Sequence, residues 1–120
     1  MSEALGADPD RRHHAAMLMH RARQQDRIGE AMSCRALARA CAKARDMTAA
    51  HRYLTLAQRS AQARGSRHER AVTLLCHAEI ALIDGRPHDA LAPLDEASEN
   101  FLAMNMRWHL DQAQALRRLL

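Results

Sequence analysis

The chain has 120 residues, which is enough for one compact domain, and it carries a formal charge of +4. Only three residues are aromatic, and glycine and proline number four and three, so alanine, leucine and methionine must fill the core and turns must be few. No run of about 18 apolar residues could span a membrane, no apolar signal segment begins the chain, and three cysteines do not form a disulfide framework. The composition therefore predicts an all-helical domain in the cytoplasm, without membrane contact.

The first three helices are predicted from capping residues. A helix is expected over residues 9–24, because an aspartate followed by a proline at its start is a typical N-cap and first helical residue. Asp26 predicts the cap of a second helix, which runs to about Ala44. Asp46 predicts the cap of a third helix, and Gly65 ends it.

The fourth helix has signals at both ends. Ser66 and Glu69 match a capping box at its start, and the helix is expected to run to Ile83. Gly85 then ends it, and Pro87 is tolerated at the first position of the next helix. The short connection predicts that the fourth and fifth helices are antiparallel neighbours.

The fifth helix is expected to run to about Met104, with a bend at Pro93, which removes one backbone hydrogen bond. Asn105 can adopt the left-handed conformation that ends a helix. A sixth helix is predicted over residues 106–120.

The chain matches itself at a shift of 40 residues. Two full units are predicted over residues 27–64 and 67–104, with single helices over 9–24 and 106–120 on either side. The last helix matches the start of a unit at a shift of 42, which places Ala113 on Ala71. The matched pairs are Ala31 and Ala71, Ala38 and Ala78, Ala50 and Ala90, Leu54 and Leu94, and Ala57 and Ala97.

These positions resemble tetratricopeptide repeats, of the longer-period kind found in bacterial regulators and signalling ATPases. The likeness covers about 100 residues and implies a right-handed superhelix of about six antiparallel helices, with no catalytic activity. It also implies a concave face that binds a peptide or partner domain. The bulky aromatic residues usual in the first helix of the repeat are replaced here by Cys34 and Cys41. The residues that carry the likeness are Ala38, Ala50, Leu54 and Ala57 in the first unit, and Ala78, Gly85, Ala90, Leu94 and Ala97 in the second.

Eight histidines and three cysteines could ligate a metal, but none has the spacing of a zinc motif. Neighbours such as Cys76 and His77 point in different directions on a helix, so they do not form a catalytic dyad. The sequence contains no nucleophile motif and no phosphate-binding glycine loop. We therefore expect no metal, no cofactor and no enzymatic activity.

A stripe of cations on the second helix is the candidate binding site. Arg35, Arg39 and Lys43 are spaced four residues apart and therefore share one edge of the helix. In the family this edge lines the concave groove, where cations can hold acidic groups of a peptide. Leu75 and Glu79 occupy the matching stripe of the next unit. The predicted groove suits a peptide with an acidic part and an apolar part; the alternative is a plain solvated stripe.

Nucleic acid is the alternative partner. Residues 1–64 carry twelve Lys and Arg against six Asp and Glu, whereas residues 65–120 carry six against eight. An arginine-rich half is compatible with phosphate contacts. The scarcity of aromatic residues and the lack of a known reading motif argue against this function.

The last helix carries apolar residues with no later helix to cover them. Either the chain continues a longer repeat array or these residues associate into a homo-oligomer. The candidate residues for self-association are Trp108, Leu116, Leu119 and Leu120. For Trp108, packing against the fifth helix near Phe101 is the preferred interpretation.

Overall fold

A computed structural model of the protein describes residues 11–17 and 27–120, with side chains in the second range from residue 29 onward. Six helices account for 86% of these described residues, which include no strand. The predicted all-helical fold is therefore confirmed. Residues 11–17 form the described part of helix α1. The predicted start of that helix, its end at residue 24 and the cap at Asp26 lie outside the described residues.

The remaining helices agree with the predicted boundaries to within one or two residues, except at the C-terminal end. Helix α6 ends at Arg117, not at the last residue, and residues 118–119 form a turn. None of the described helices is both long and apolar enough to cross a lipid bilayer. The helices are α2 (Arg27–Lys43), α3 (Met47–Arg64), α4 (Arg67–Ile83), α5 (Pro87–Ala103) and α6 (Arg107–Arg117).

A residue with left-handed backbone conformation lies in each connection from α2 to α6. The φ angles are 66° at Arg45, 65° at Gly65, 73° at Gly85 and 56° at Asn105, and these residues are 20 positions apart. The turns at residues 45, 85 and 105 each contain the same two backbone hydrogen bonds. The N–H of the left-handed residue donates to the carbonyl three positions earlier, and the N–H of the next residue donates to the carbonyl five positions earlier. This is the Schellman pattern, so the three turns have the same geometry.

The helix starts follow the sequence prediction with one exception. Asp46 and Ser66 cap α3 and α4 by accepting hydrogen bonds from the backbone N–H groups of Ala49 (3.2 Å) and Glu69 (3.1 Å). The carboxylate of Glu69 pairs with α2 instead of completing the predicted capping box. Pro87 is the first residue of α5.

The helices from α2 onward form two layers. Helix α2 packs against α3 and α4, and α4 also packs against α3, α5 and α6, while α5 packs against α6. Helices α2, α4 and α6 therefore lie side by side, with α3 and α5 behind them. The chain continues as helix through Pro93, which is buried in α5.

Small residues occupy the helix crossings, as the 40-residue match predicts. The six alanines assigned to the crossings have no exposed surface, and Leu54 and Leu94 are buried beside them. Phe101 supplies the largest fully buried side chain of the described residues. Close helix packing requires small side chains at the contact, so this pattern explains why the core contains so little aromatic volume. The six are Ala38, Ala50, Ala57, Ala78, Ala90 and Ala97.

The close crossing of α4 and α5 predicts that Ala90→Leu lowers the free energy of unfolding by about 1–3 kcal/mol, because the added side chain overpacks the core. Ala92 is exposed on the same helix, so Ala92→Leu is the matched control and should change the stability by less than about 0.5 kcal/mol. Urea unfolding measures both variants. Equal stabilities for the two leucine variants would contradict the crossing at Ala90.

Candidate partner-binding groove

Helices α2, α4 and α6 together line a groove, which we call the inner face. Its larger part has a volume of about 520 Å³ and its smaller part about 170 Å³. Leu75, Glu79 and Gln112 line both parts, so the two are adjacent. The residues of the inner face are Met32, Arg35 and Arg39 on α2, His68, Glu69, Val72, Leu75 and Glu79 on α4, and Trp108, His109, Gln112, Ala115, Leu116 and Leu119 on or just after α6.

The inner face is built from equivalent positions of successive units. Arg35, Leu75 and Ala115 are 40 residues apart, and so are Arg39, Glu79 and Leu119. The turns before α4 and α6, at residues 65 and 105, are also 40 residues apart. Equivalent positions of α4 and α6 are therefore 40 residues apart, and not 42 as the sequence match predicts.

Four of the five residues predicted to bind a partner lie together in the larger part of the groove. They are Arg35, Arg39, Leu75 and Glu79. Lys43 is exposed at the end of α2 and is not among the residues that line this part. A role of these residues in partner binding stays a prediction.

Arg35 holds α2 against α4. Its Nη1 atom donates to Oε1 of Glu69 at 2.7 Å and to Oγ1 of Thr73 at 3.3 Å. The side chains of Arg35 and Glu69 are 8% and 6% exposed, so the ion pair is almost completely removed from water. Buried charges are stable only when they are paired and hydrogen-bonded, and here each charge compensates the other. The sequence predicted a free cation at this position.

Arg39 makes a second ion pair between the same helices. Its Nε and Nη2 atoms donate to Oε1 of Glu79 at 2.9 Å and 2.7 Å. Both side chains are 35% exposed, so the pair is visible at the surface of the groove. The sequence predicts that these cations hold the acidic part of a peptide, but the structure places each arginine beside a glutamate of α4.

Trp108 on α6 and Leu119 just after it are exposed apolar residues that line the inner face. Trp108 is 66% exposed and lines the groove opposite Met32, which is 57% exposed on α2. Leu119 is 73% exposed and lines the smaller part of the groove, while Leu116 packs partly into the core. Leu120 is 40% exposed. Self-association through these residues stays a prediction.

The sequence predicts that Trp108 packs near Phe101 of the fifth helix, but His109 occupies that position. The ring of His109 lies 5.2 Å from that of Phe101, between centroids. Trp108 packs edge-to-face against His109 at 5.0 Å and leaves most of its indole in solvent. Burial lowers the pKa of His109, and the neighbouring His68 and Arg35 lower it further, so His109 is neutral at neutral pH.

Helix α4 packs one of its sides against α5. The equivalent side of α6 carries polar residues. Ala71 and Leu74 of α4 pack into the core that α4 shares with α5. Their equivalents 40 residues later are Asp111 and Gln114, which are exposed. Two positions of α6 that are apolar in α4 are therefore polar, whereas Trp108 and Leu119 line the groove.

Cys76 does not provide a reactive group at this site. Burial raises the pKa of Cys76 to about 11, and its thiol donates to the backbone carbonyl of Arg35 at 3.9 Å. The thiol therefore stays protonated at neutral pH, and only thiolates are strong nucleophiles. Within residues 11–17 and 27–120, no group of three His, Cys, Asp or Glu side chains is arranged to hold a metal ion.

The buried pair predicts a large cost for Arg35→Met, about 3–5 kcal/mol in the free energy of unfolding, because buried Glu69 loses its arginine partner and keeps only the exposed His68, at 3.4 Å. The double variant Arg35→Met/Glu69→Met should recover most of this loss, since it removes both charges. Arg39→Met, which opens the half-exposed pair, is the matched control and should cost less than about 1 kcal/mol. Urea unfolding of the three variants tests this order, and similar costs for Arg35→Met and Arg39→Met would contradict it.

No protein-family model, curated protein or solved structure matches this chain. The likeness to tetratricopeptide repeats therefore stays a prediction from the residues that carry it. The 20-residue recurrence of the turns and the composition of the inner face are features of the structure itself and do not depend on that likeness.

Proposed function

We propose that the protein is a non-catalytic interaction module that binds a peptide or domain of another protein on its inner face. The observation that carries this proposal is the exposure of large apolar side chains around one groove. Trp108, Met32 and Leu119 are more than half exposed there, above a floor that includes Val72 and Leu75. Clustered exposed apolar residues are typical of surfaces that a partner covers.

Trp108 is the residue best suited to anchor a partner. It is the single tryptophan of the chain and one of three aromatic residues. Tyrosine, tryptophan and arginine dominate the binding energy of protein interfaces, because they bury a large area and can also donate hydrogen bonds. The indole of Trp108 is 66% exposed, although His109 supports one edge. This combination of support and exposure favours a contact residue over a core residue.

Three arginines of the basic half make contacts within the protein, and these contacts favour a protein partner over nucleic acid at the inner face. Arg35 and Arg39 are paired with glutamates. The Nη1 atom of Arg45 donates to the backbone carbonyl of Ile83 at 2.8 Å. These guanidinium groups hold the protein together and are therefore less available for phosphate.

The resemblance to repeats of bacterial regulators extends the proposal to regulation or signalling in a bacterial cytoplasm.

A pull-down from nuclease-treated extract of the source organism tests the proposal. We expect a specific protein to be retained by the wild type and lost with Trp108→Ala, because the variant removes the exposed anchor without disturbing the core. Leu102→Ala is the matched control, since Leu102 is 68% exposed on α5, outside the groove, and should retain the same protein.

Equal retention by wild type and Trp108→Ala would contradict binding on the inner face. Retention from untreated extract that is lost after nuclease treatment would instead support the phosphate-binding alternative. Circular dichroism of each variant ensures that a lost interaction does not reflect a lost fold.

A further inference from the structure

We infer that the inner face recognises an uncharged, apolar stretch of a protein partner and selects against acidic groups. This inference rests on the proposed function and specifies the chemistry of its partner. It reverses the expectation from the sequence, in which the cations of α2 were available to hold carboxylates.

The arginines of the groove carry no free positive charge. Arg35 and Arg39 are each compensated by a glutamate of α4, at 2.7 Å in both cases. A partner carboxylate that approached Arg39 would have to displace Glu79 or lie beside it, and like charges at such distances repel. Arg35 is further shielded, because its pair with Glu69 is almost fully buried. The arrangement therefore opposes acidic ligands.

Most of the surface that remains for a partner is apolar, although His68 and Gln112 also line it. Met32 on α2 and Trp108 on α6 stand on either side of α4, which contributes Val72 and Leu75 between them. Leu119 extends this surface into the smaller part of the groove. Methionine adapts its shape to a ligand, and tryptophan offers a large rigid area. Such a surface gains binding energy by covering apolar side chains of a partner.

Glu79 acts as a specificity-determining residue of the groove. Its carboxylate accepts both hydrogen bonds from Arg39, and each side chain is 35% exposed. Glu79→Gln keeps the size of the side chain but removes its charge, so the positive charge of Arg39 becomes uncompensated at the surface of the groove. The variant should therefore attract the carboxylates that the wild type rejects. Arg39→Gln/Glu79→Gln removes both charges and is the matched control.

The test is a selection from phage-displayed random peptides of about 16 residues, carried out in parallel on wild type, Glu79→Gln and the double variant. Peptides selected on the wild type should be enriched in Leu, Ile, Met and Phe and depleted in Asp and Glu, and their affinity should change less than about twofold between about 0.05 M and 0.5 M NaCl. Peptides selected on Glu79→Gln should gain Asp and Glu and lose about tenfold in affinity over the same range of salt. The double variant should select like the wild type.

The possible failures are distinguishable. Wild-type selection dominated by acidic peptides, or the same peptide composition on wild type and Glu79→Gln, would overturn the inference while leaving the groove as the binding site. Selected peptides that bind Trp108→Ala or Met32→Ala as tightly as the wild type would place the site elsewhere, and both the inference and the proposed function would fail. Thermal unfolding establishes that every variant used is folded.

Discussion

A left-handed residue every 20 positions is the constraint on which the rest of the structure depends. Because three of the turns also share the same two hydrogen bonds, each helix begins at the same point of its unit. Positions 40 residues apart therefore become equivalent in space, and alanines at the crossings let the helices approach closely. The inner face is the direct consequence, since its rows on α2, α4 and α6 are made of such equivalents. The turns accept Arg45 and Asn105 where glycine would be the least strained choice.

The equivalent positions of the inner face carry different chemistry in each unit. One row contains Arg39, Glu79 and Leu119, so a cation, an anion and an apolar residue follow one another across the groove. The charges of neighbouring units thus compensate one another, and the ion pairs of Arg35 and Arg39 hold α2 against α4. What the groove offers to a partner is then the apolar surface around Trp108. In the proposal made here, the groove sets its specificity in this way, by favouring apolar side chains and repelling acidic ones.

Much of the fold could be predicted from the sequence because its signals are local. Gly65, Gly85 and Asn105 mark turns through their own backbone preferences, and buried alanines recur at a fixed interval. The site was less predictable because it depends on contacts between units. Glu79 was assigned to the groove, but its pairing with Arg39 depends on how closely α2 approaches α4. With the last helix aligned at a shift of 42, Trp108 was not matched to His68. The spacing of 40 between Gly65 and Asn105 would have aligned these two residues.

The central claim is that a partner covers the inner face, and the single tryptophan of the chain provides a direct measurement. Acrylamide quenching of Trp108 fluorescence reports the access of solvent to its indole, which is 66% exposed in the free protein. With a captured partner or selected peptide that itself lacks tryptophan, we predict a blue-shifted emission and a quenching constant reduced by about twofold or more, as expected for an indole at the centre of an interface. An unchanged emission and quenching constant in the saturated complex would contradict the claim.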